Sequence, residues 1–205
     1  MILPRFYPIL DTEIAARNGF RAVDAASQLL GAGSRILQFR HKGLFTRDVF
    51  AELEQIAALC RQAQAQLVVN DRADIAALLG AALHLGQQDL TPSEARYVAG
   101  KAAIIGYSTH NSRQLAAAAA EPADYLALGP IFGTSSKANP DPVVGIDGLS
   151  QLRSLTDRPL VAIGGITRSN ARRVLDAGAN SVAVIGDLFP ELRLRASEFI
   201  SITRP

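Results

Sequence analysis

The feature that most constrains the fold of this sequence is the regular alternation of short apolar runs with longer segments of helical periodicity. Eight short, largely apolar and often β-branched runs are predicted strands: residues 5–10, 35–39, 67–69, 83–85, 103–107, 125–128, 160–163 and 181–185. Segments between them are predicted helices: residues 23–30, 46–61, 75–79, 92–99, 112–120, 148–155 and 170–177. Because strands that alternate with helices pair in parallel, the pattern predicts a parallel sheet covered by helices.

The length of the chain selects among parallel α/β architectures. Eight units in 205 residues leave about 26 residues for each unit, and about 200 residues is the lower limit for a (β/α)8 barrel. We therefore expect an α/β protein that folds as a compact (β/α)8 TIM barrel, a single domain over residues 1–205. The alternative is a doubly wound open sheet, which normally carries a glycine fingerprint after its first strand. The sequence LDTEIAARNGF at that place lacks one.

Capping residues agree with three of the predicted helices. Thr46 stands at the start of one, and Thr91 precedes Pro92 at a first-turn position of another. Gly178 follows a third, where helices commonly end in the left-handed conformation that glycine tolerates. These signals predict two helix starts and one helix end.

Composition narrows the class of protein. Hydrophobic residues make up 48% of the chain and charged residues 20%, which is typical of a globular protein and excludes a disordered or collagen-like one. The single cysteine, Cys60, lies in a segment of helical spacing, so we interpret it as a buried packing residue. The net charge of +2 is too small to indicate a nucleic-acid partner. Because neither a signal peptide nor a membrane-spanning run is evident, we expect a cytoplasmic protein.

Polar side chains follow most of the predicted strands, at the point where each strand ends. They include Gln38, Arg40 and Lys42 after strand two, Asn70 and Asp71 after strand three, Asp89 after strand four, Ser108 and His110 after strand five, and Thr134, Ser135, Ser136 and Lys137 after strand six. The active sites of TIM barrels are built from the loops at these strand ends. The sequence therefore predicts a functional site at one mouth of the barrel.

Gln38, Arg40 and Lys42 are spaced by two, so on an extended segment they share one face. Arginine offers a planar fork of donors to phosphate oxygens, and lysine offers a point charge. The group is therefore suited to a strongly anionic ligand. The alternative interpretation is a solvated basic turn.

Asp71 and Asp89 follow two consecutive strands, and neighbouring strands lie about 4.8 Å apart. Two carboxylates placed this way repel each other unless a cation lies between them. Mg2+ commonly takes one or two protein carboxylates and completes its shell with water and substrate phosphate oxygens. The structural alternatives are a helix N-cap for Asp71 and a turn residue for Asp89.

A second anion site is predicted at the ends of strands seven and eight. Gly164 and Gly165 follow strand seven, and Ile185 and Gly186 end strand eight. This is the usual phosphate site of a TIM barrel, where backbone N–H groups face the anion. A pair of glycines also serves in simple turns. With the first site, the pattern implies two phosphorylated small-molecule substrates.

Six motifs in chain order resemble the thiamine phosphate synthase family: QFRHK, ND, HLGQQD, GYSTH, GPIFGTSSK with a later VVG, and AIGGI. The resemblance covers residues 37–186, about three quarters of the chain. It implies a TIM-barrel transferase that joins hydroxymethylpyrimidine diphosphate to thiazole phosphate, giving thiamine phosphate and diphosphate. The implied mechanism is dissociative, with diphosphate leaving before the thiazole nitrogen attacks.

The resemblance also implies roles for individual residues. Gln38, Arg40, Lys42, Asn70, Ser108 and Lys137 would hold the pyrimidine diphosphate, with Arg40, Lys42, Lys137 and Ser108 assisting catalysis. Asp71 and Asp89 would bind Mg2+. Thr134, Ser135, Ser136, Gly165, Ile185 and Gly186 would contact the thiazole phosphate. Closure of the loop at residues 129–145 would bring Lys137 to the substrate and exclude water.

Three departures from the family pattern stand in this sequence. The family usually shows TxTK, where residues 134–137 read TSSK. It has a serine where this chain has Gly186, which leaves only backbone donors there. The usual GADGxH motif is one residue shorter at residues 80–84. These differences bear on thiazole-phosphate affinity more than on catalysis.

Two other functions remain as alternatives. A thiazole tautomerase-like relative would share the barrel and the thiazole-phosphate pocket but has no use for a metal-diphosphate site. A barrel that binds a phosphorylated ligand without turning it over would leave the basic and acidic residues unexplained. The expected partners are small molecules, and a homo-oligomer is left open.

Overall fold

The computed structural model describes residues 3–134 and 141–205, and within them eight parallel strands close into a barrel. The strands are β1 (Phe6–Asp11), β2 (Ile36–Arg40), β3 (Gln66–Asn70), β4 (Ala82–Leu85), β5 (Ile105–Thr109), β6 (Tyr125–Leu128), β7 (Leu160–Ile163) and β8 (Ser181–Val184). Their order around the barrel is their order in the chain, and β1 pairs with β8. The predicted (β/α)8 barrel is confirmed, and the open sheet is excluded because the sheet closes. The assignment of residues 1–205 to a single domain stays a prediction.

Helices connect the strands on the outside of the barrel. In the described ranges they are α1 (Thr12–Arg17), α2 (Ala22–Gly31), α3 (Arg47–Gln62), α4 (Ala73–Leu79), α5 (Pro92–Ala99), α6 (Ser112–Ala117), α7 (Gly145–Arg153), α8 (Ala171–Asp176) and α9 (Leu192–Ile202). Short 3-10 turns cover Ala118–Ala120 and Gly186–Leu188. Every predicted strand and helix is present with bounds shifted by at most three residues, whereas α1 and α9 were not predicted.

The predicted caps are present. The Thr46 hydroxyl accepts from the backbone N–H of Val49 at 3.4 Å, which caps α3. Thr91 and Glu94 cap α5 reciprocally, each side chain accepting from the other residue's backbone N–H. Gly178 has a φ of +107°, a conformation that a residue with a side chain rarely adopts.

Alternate residues of each strand point into the barrel or toward the helices. One buried cluster fills the barrel interior and includes Tyr7, Ile9, Val68, Tyr125 and Ala183. The other lies between strands and helices and contains the intervening residues, such as Leu10, Leu37 and Leu83. Because both faces are covered, the strands are nearly continuously apolar. The polar exceptions at inward positions therefore mark the site.

One further expectation is met outside the site. Cys60 is 1% exposed, and burial raises the pKa of its thiol to about 12, so it is a packing residue. Among the described residues, no helix combines the length and the apolar character needed to cross a membrane.

Candidate active site

A cavity of about 390 Å³ opens at the carboxyl ends of the strands. Eight of the predicted site residues line it: Gln38, Arg40, Asn70, Ser108, Thr134, Gly165, Ile185 and Gly186. They come from the ends of six different elements, and the barrel brings them together. Ser135, Ser136 and Lys137 lie outside the described residues, so their predicted roles stay predictions.

Arg40 ends β2 and faces the cavity, where its guanidinium Nη1 donates to the Asp11 carboxylate Oδ2. The Asp11 side chain is 5% exposed and also caps α1, since its Oδ1 accepts from the backbone N–H groups of Glu13 at 3.1 Å and Ile14 at 3.0 Å. A carboxylate held this way fixes one edge of the guanidinium. Its other N–H groups are left for an anionic ligand. The alternative that Arg40 belongs to a solvated basic turn is therefore excluded.

Lys42 lies beyond the end of β2, and its Nζ contacts the Asp71 Oδ2 at 2.5 Å. Asp71 has a φ of +65°, and its backbone N–H donates to the His84 carbonyl at 2.8 Å. The alternative that Asp71 is the N-cap of α4 is wrong, because Arg72 holds that position without a capping side-chain bond. The Asp71 carboxylate is therefore paired with Lys42 instead of capping α4, and neither of these two side chains is in the lining of the cavity.

Asp89 lies next to Asp71. Its Oδ2 accepts from the backbone N–H of Gly86 at 2.7 Å, so it does order the turn after β4. Burial is the main cause that raises the pKa of Asp89, and hydrogen bonding and charge repulsion from Asp71 raise it further. Two mutually repelling carboxylates this close to each other favour a cation between them.

The carboxylate pair is compatible with Mg2+ by its donor chemistry. Over residues 3–134 and 141–205, no group of three or more His, Cys, Asp and Glu side chains gathers as a metal centre. Mg2+ needs no such protein cage, because it usually takes one or two carboxylates and fills its remaining positions with water and phosphate oxygens. Asp71 and Asp89 therefore fit the part of a magnesium site that a protein supplies.

Asn70, at the end of β3, is 9% exposed and lines the cavity. Its side-chain amide Nδ2 is buried and has no hydrogen-bond partner among the described residues. A buried donor without a partner costs free energy, about 1–3 kcal/mol for a neutral group. The amide is therefore ready for an acceptor atom of a ligand in the cavity.

Beneath the cavity, sequence reasoning missed a set of hydrogen-bonded polar groups in the barrel interior. Tyr7 Oη and Tyr125 Oη lie 2.8 Å apart, and Tyr125 Oη is 3.1 Å from His84 Nδ1. His84 Nε2 is 2.9 Å from Ser108 Oγ, and Gln38 Nε2 donates to Tyr7 Oη at 2.9 Å. His84 is therefore a hydrogen-bonded histidine of the barrel interior. The tyrosines carried no signal beyond their inward strand positions.

The predicted second anion site has the backbone geometry that glycine permits. Gly164 and Gly165 have φ values of +98° and +62°. A Cβ on Gly165 would lie 2.5 Å from the Gly133 carbonyl oxygen, so no side chain fits there. A Cβ on Gly186, in contrast, meets no atom within 4 Å, because that residue faces open space.

His110, at the loop that follows β5, lines the same cavity. Its Nδ1 contacts the Gly129 carbonyl at 2.6 Å, and its Nε2 lies 3.5 Å from the Asp141 Oδ2. Gly129 and Asp141 are on the loop between β6 and α7. The contacts favour a loop-ordering role for His110.

Comparison with known proteins places this geometry in a family. The family described as "Thiamine monophosphate synthase" matches residues 6–188 of this chain. The chain belongs to the thiamine monophosphate synthase family. The thiamine-phosphate synthase of Koribacter versatilis is 47% identical over 203 residues, which is 98% of this chain and 96% of that protein. That of Chlorobium phaeovibrioides is 44% identical over 181 residues, 87% of each.

A solved structure supports the same membership. The thiamine phosphate pyrophosphorylase from Pyrococcus furiosus superposes with a TM-score of 0.87 at 29% identity, covering 98% of this chain and 95% of that one. The family resemblance, the fold and the enzyme class, a transferase of the thiamine-phosphate synthase type, are therefore confirmed. The individual residue roles and the metal are not tested by these comparisons.

Proposed function

We propose that this member of the thiamine monophosphate synthase family joins hydroxymethylpyrimidine diphosphate to thiazole phosphate by a dissociative, Mg2+-assisted substitution. The observation that carries the proposal is the pairing of two different anion sites on one cavity. Arg40 lines this cavity together with the glycines after β7 and β8, whereas Lys42, Asp71 and Asp89, which follow β2, β3 and β4, lie outside its lining and close to one another. A thiazole tautomerase would need only the second site.

Asp71 and Asp89 would hold the Mg2+, which when bound supplies positive charge to the departing diphosphate. Two cationic residues of the chain would add further positive charge. Arg40 presents the donors that Asp11 leaves unused, and Lys42 lies beside Asp71 at 2.5 Å. Electrostatic groups that are fixed in place before the reaction stabilise the charge that develops on a leaving group.

Asn70, Ser108 and Gln38 line the cavity, and the pyrimidine would lie against them. The free amide N–H of Asn70 and the Ser108 hydroxyl would fix its orientation. Positioning of this kind makes the bond to the thiazole nitrogen an intramolecular step, in which the two reacting atoms are already in line. The protein has no covalent step to perform.

Backbone N–H groups near Gly165, Ile185 and Gly186 would bind the thiazole phosphate, together with Thr134. The loop that carries Thr134 is anchored to β7, since Ile131 N–H donates to the Ile163 carbonyl at 2.9 Å and Phe132 N–H donates to that of Gly164 at 3.0 Å. Lys137 follows in this loop and would meet the leaving diphosphate when substrate is bound. Exclusion of water by the loop would protect the pyrimidine cation.

Product analysis with both substrates tests the function. We expect thiamine phosphate and diphosphate to appear together when both substrates and Mg2+ are present. Isomerisation of the thiazole phosphate without metal would instead indicate a tautomerase. Thermal stabilisation by either substrate with no product would indicate a barrel that only binds its ligands. Either of these outcomes would reject the proposal.

Gly186→Ser is expected to lower the KM for thiazole phosphate by up to about tenfold, the value of one added neutral hydrogen bond. The new hydroxyl fits, because a Cβ at this position meets no atom within 4 Å. It would add the side-chain donor that this chain lacks. Steady-state kinetics with varied thiazole phosphate measure the effect, and Gly186→Ala is the matched control without a hydroxyl. An equal KM for both variants would place the phosphate elsewhere.

A further inference from the structure

The hydrogen-bonded groups beneath the cavity form a continuous chain across the barrel interior. It runs from Gln38 through Tyr7, Tyr125 and His84 to Ser108, with donor–acceptor distances of 2.9, 2.8, 3.1 and 2.9 Å. Both tyrosines are fully buried, and burial is the main cause that raises the pKa of each. Each phenol therefore keeps its proton at neutral pH and has one O–H to donate.

The donor-to-acceptor direction of these hydrogen bonds follows from the Gln38 end of the series, because an amide N–H can only donate. Tyr7 Oη accepts from Gln38 Nε2, so the Tyr7 O–H is left to donate to Tyr125 Oη. A buried O–H requires an acceptor, and with Tyr7 as a donor to it, Tyr125 donates to His84 Nδ1. His84 then carries its proton on Nε2 and donates to Ser108 Oγ.

We call this series of hydrogen bonds from Gln38 to Ser108 the relay. We infer that the relay makes Tyr125 and His84 positioning residues, which hold the Ser108 hydroxyl as a hydrogen-bond donor directed toward the cavity. Ser108 Oγ receives the His84 proton, so its own hydrogen is available to an acceptor atom of a ligand. This inference rests on the proposed function for the identity of that ligand, the pyrimidine diphosphate. Without the relay the hydroxyl could turn and present a lone pair instead.

The Tyr125 ring occupies the space that a side chain at position 106 would fill. A Cβ on Gly106 would lie 2.1 Å from Tyr125 Cζ and 2.4 Å from its Oη, so only glycine allows the phenol to reach its place. The Tyr125 ring also stacks on that of His84, with centroids 5.6 Å apart and an interplanar angle of 26°. The backbone of Ser108 is fixed independently, since its carbonyl accepts from Gln87 Nε2 at 2.6 Å.

The first test is spectroscopic and requires no turnover. In the 15N NMR spectrum of the ligand-free protein, we expect the His84 proton on Nε2. The same tautomer should persist in Tyr7→Phe, in which Tyr125 can still donate to His84, and should become mixed in Tyr125→Phe. A His84 proton on Nδ1 in the unmodified chain, or an unchanged tautomer in Tyr125→Phe, would overturn the inference. Because this readout is independent of catalysis, the relay can stand even where the proposed function fails.

The second test is a double-mutant cycle in the synthase reaction. When Ser108 is present, Tyr125→Phe should lower kcat by up to about tenfold, which corresponds to the loss of one hydrogen bond. In the Ser108→Ala background the same change should cost less than about twofold, because residues that act through each other are not additive. Equal losses in both backgrounds, in step with a lower melting temperature, would show a structural role only and overturn the inference.

Discussion

Asp89→Asn is expected to lower the rate of thiamine phosphate formation by about 100-fold or more, the scale on which a preorganised charge acts in catalysis. The asparagine keeps an oxygen that can accept from the Gly86 N–H but loses the charge that Mg2+ requires. Because burial and the neighbouring Asp71 raise the pKa of Asp89, its ionised form is disfavoured in the fold. The variant should therefore be at least as stable as the parent at neutral pH.

The same pKa shift sets the pH dependence of metal binding. Because the pKa of Asp89 is raised in the folded state, ionised Asp89 destabilises the metal-free fold. The metal-free protein therefore gains stability as the pH falls through that pKa and Asp89 becomes protonated. Affinity for Mg2+ should be lost over the same interval, at a higher pH than for an ordinary aspartate. Thermal unfolding with and without Mg2+ measures both effects.

Asp74→Asn is the matched control for this prediction. Asp74 lies in the first turn of α4, pairs with Arg72 and is 54% exposed at the surface. Its substitution should leave both activity and the thermal shift by Mg2+ unchanged. An Asp89→Asn variant that turns over at the parental rate with saturating metal would contradict the assignment of the magnesium site.

Arg40→Gln is expected to reduce both activity and stability. The rate should fall by about 100-fold, because the donors that face the diphosphate are lost. Asp11 would remain buried without its cation, and breaking a buried ion pair on one side costs about 3 kcal/mol in the free energy of unfolding. Chemical denaturation and steady-state kinetics measure the two losses separately.

The double variant Asp11→Asn with Arg40→Gln separates the two roles of Arg40. It contains no unpaired buried charge, and the amide oxygen introduced in place of the carboxylate can still accept from the N–H groups that cap α1. Stability should recover while activity stays low. Recovery of activity together with stability would show that Arg40 acts only as a structural partner of Asp11.

The sequence was sufficient to bring Asp71 and Asp89 close together because strand order in the barrel is chain order. Asp71 and Asp89 follow consecutive strands, so their proximity followed from the topology once eight units were counted. Gly165 and Gly186 were predicted to lie near each other for the same reason, since they follow the consecutive strands β7 and β8. The helices of the barrel were predictable where their apolar spacing was regular, as in α3 and α5.

The features that escaped prediction depend on inward side-chain direction or on misleading local patterns. Tyr7 and Tyr125 are 118 residues apart and meet only because β1 and β6 face each other across the barrel. Asp11 ends β1, and its partnership with Arg40 requires the register of β1 on β2. In α9, the alternating sequence LRLR imitates a strand, although its leucines and arginines belong to a helix.

The most direct measurement of the central claim is the rate of diphosphate release from the two mixed substrates as Mg2+ is varied from chelator excess to saturation. The account predicts negligible release under chelation and a saturable rise with metal in the unmodified chain. Release that proceeds at its full rate under chelation would contradict the claim that Asp71 and Asp89 serve a divalent cation on the leaving diphosphate.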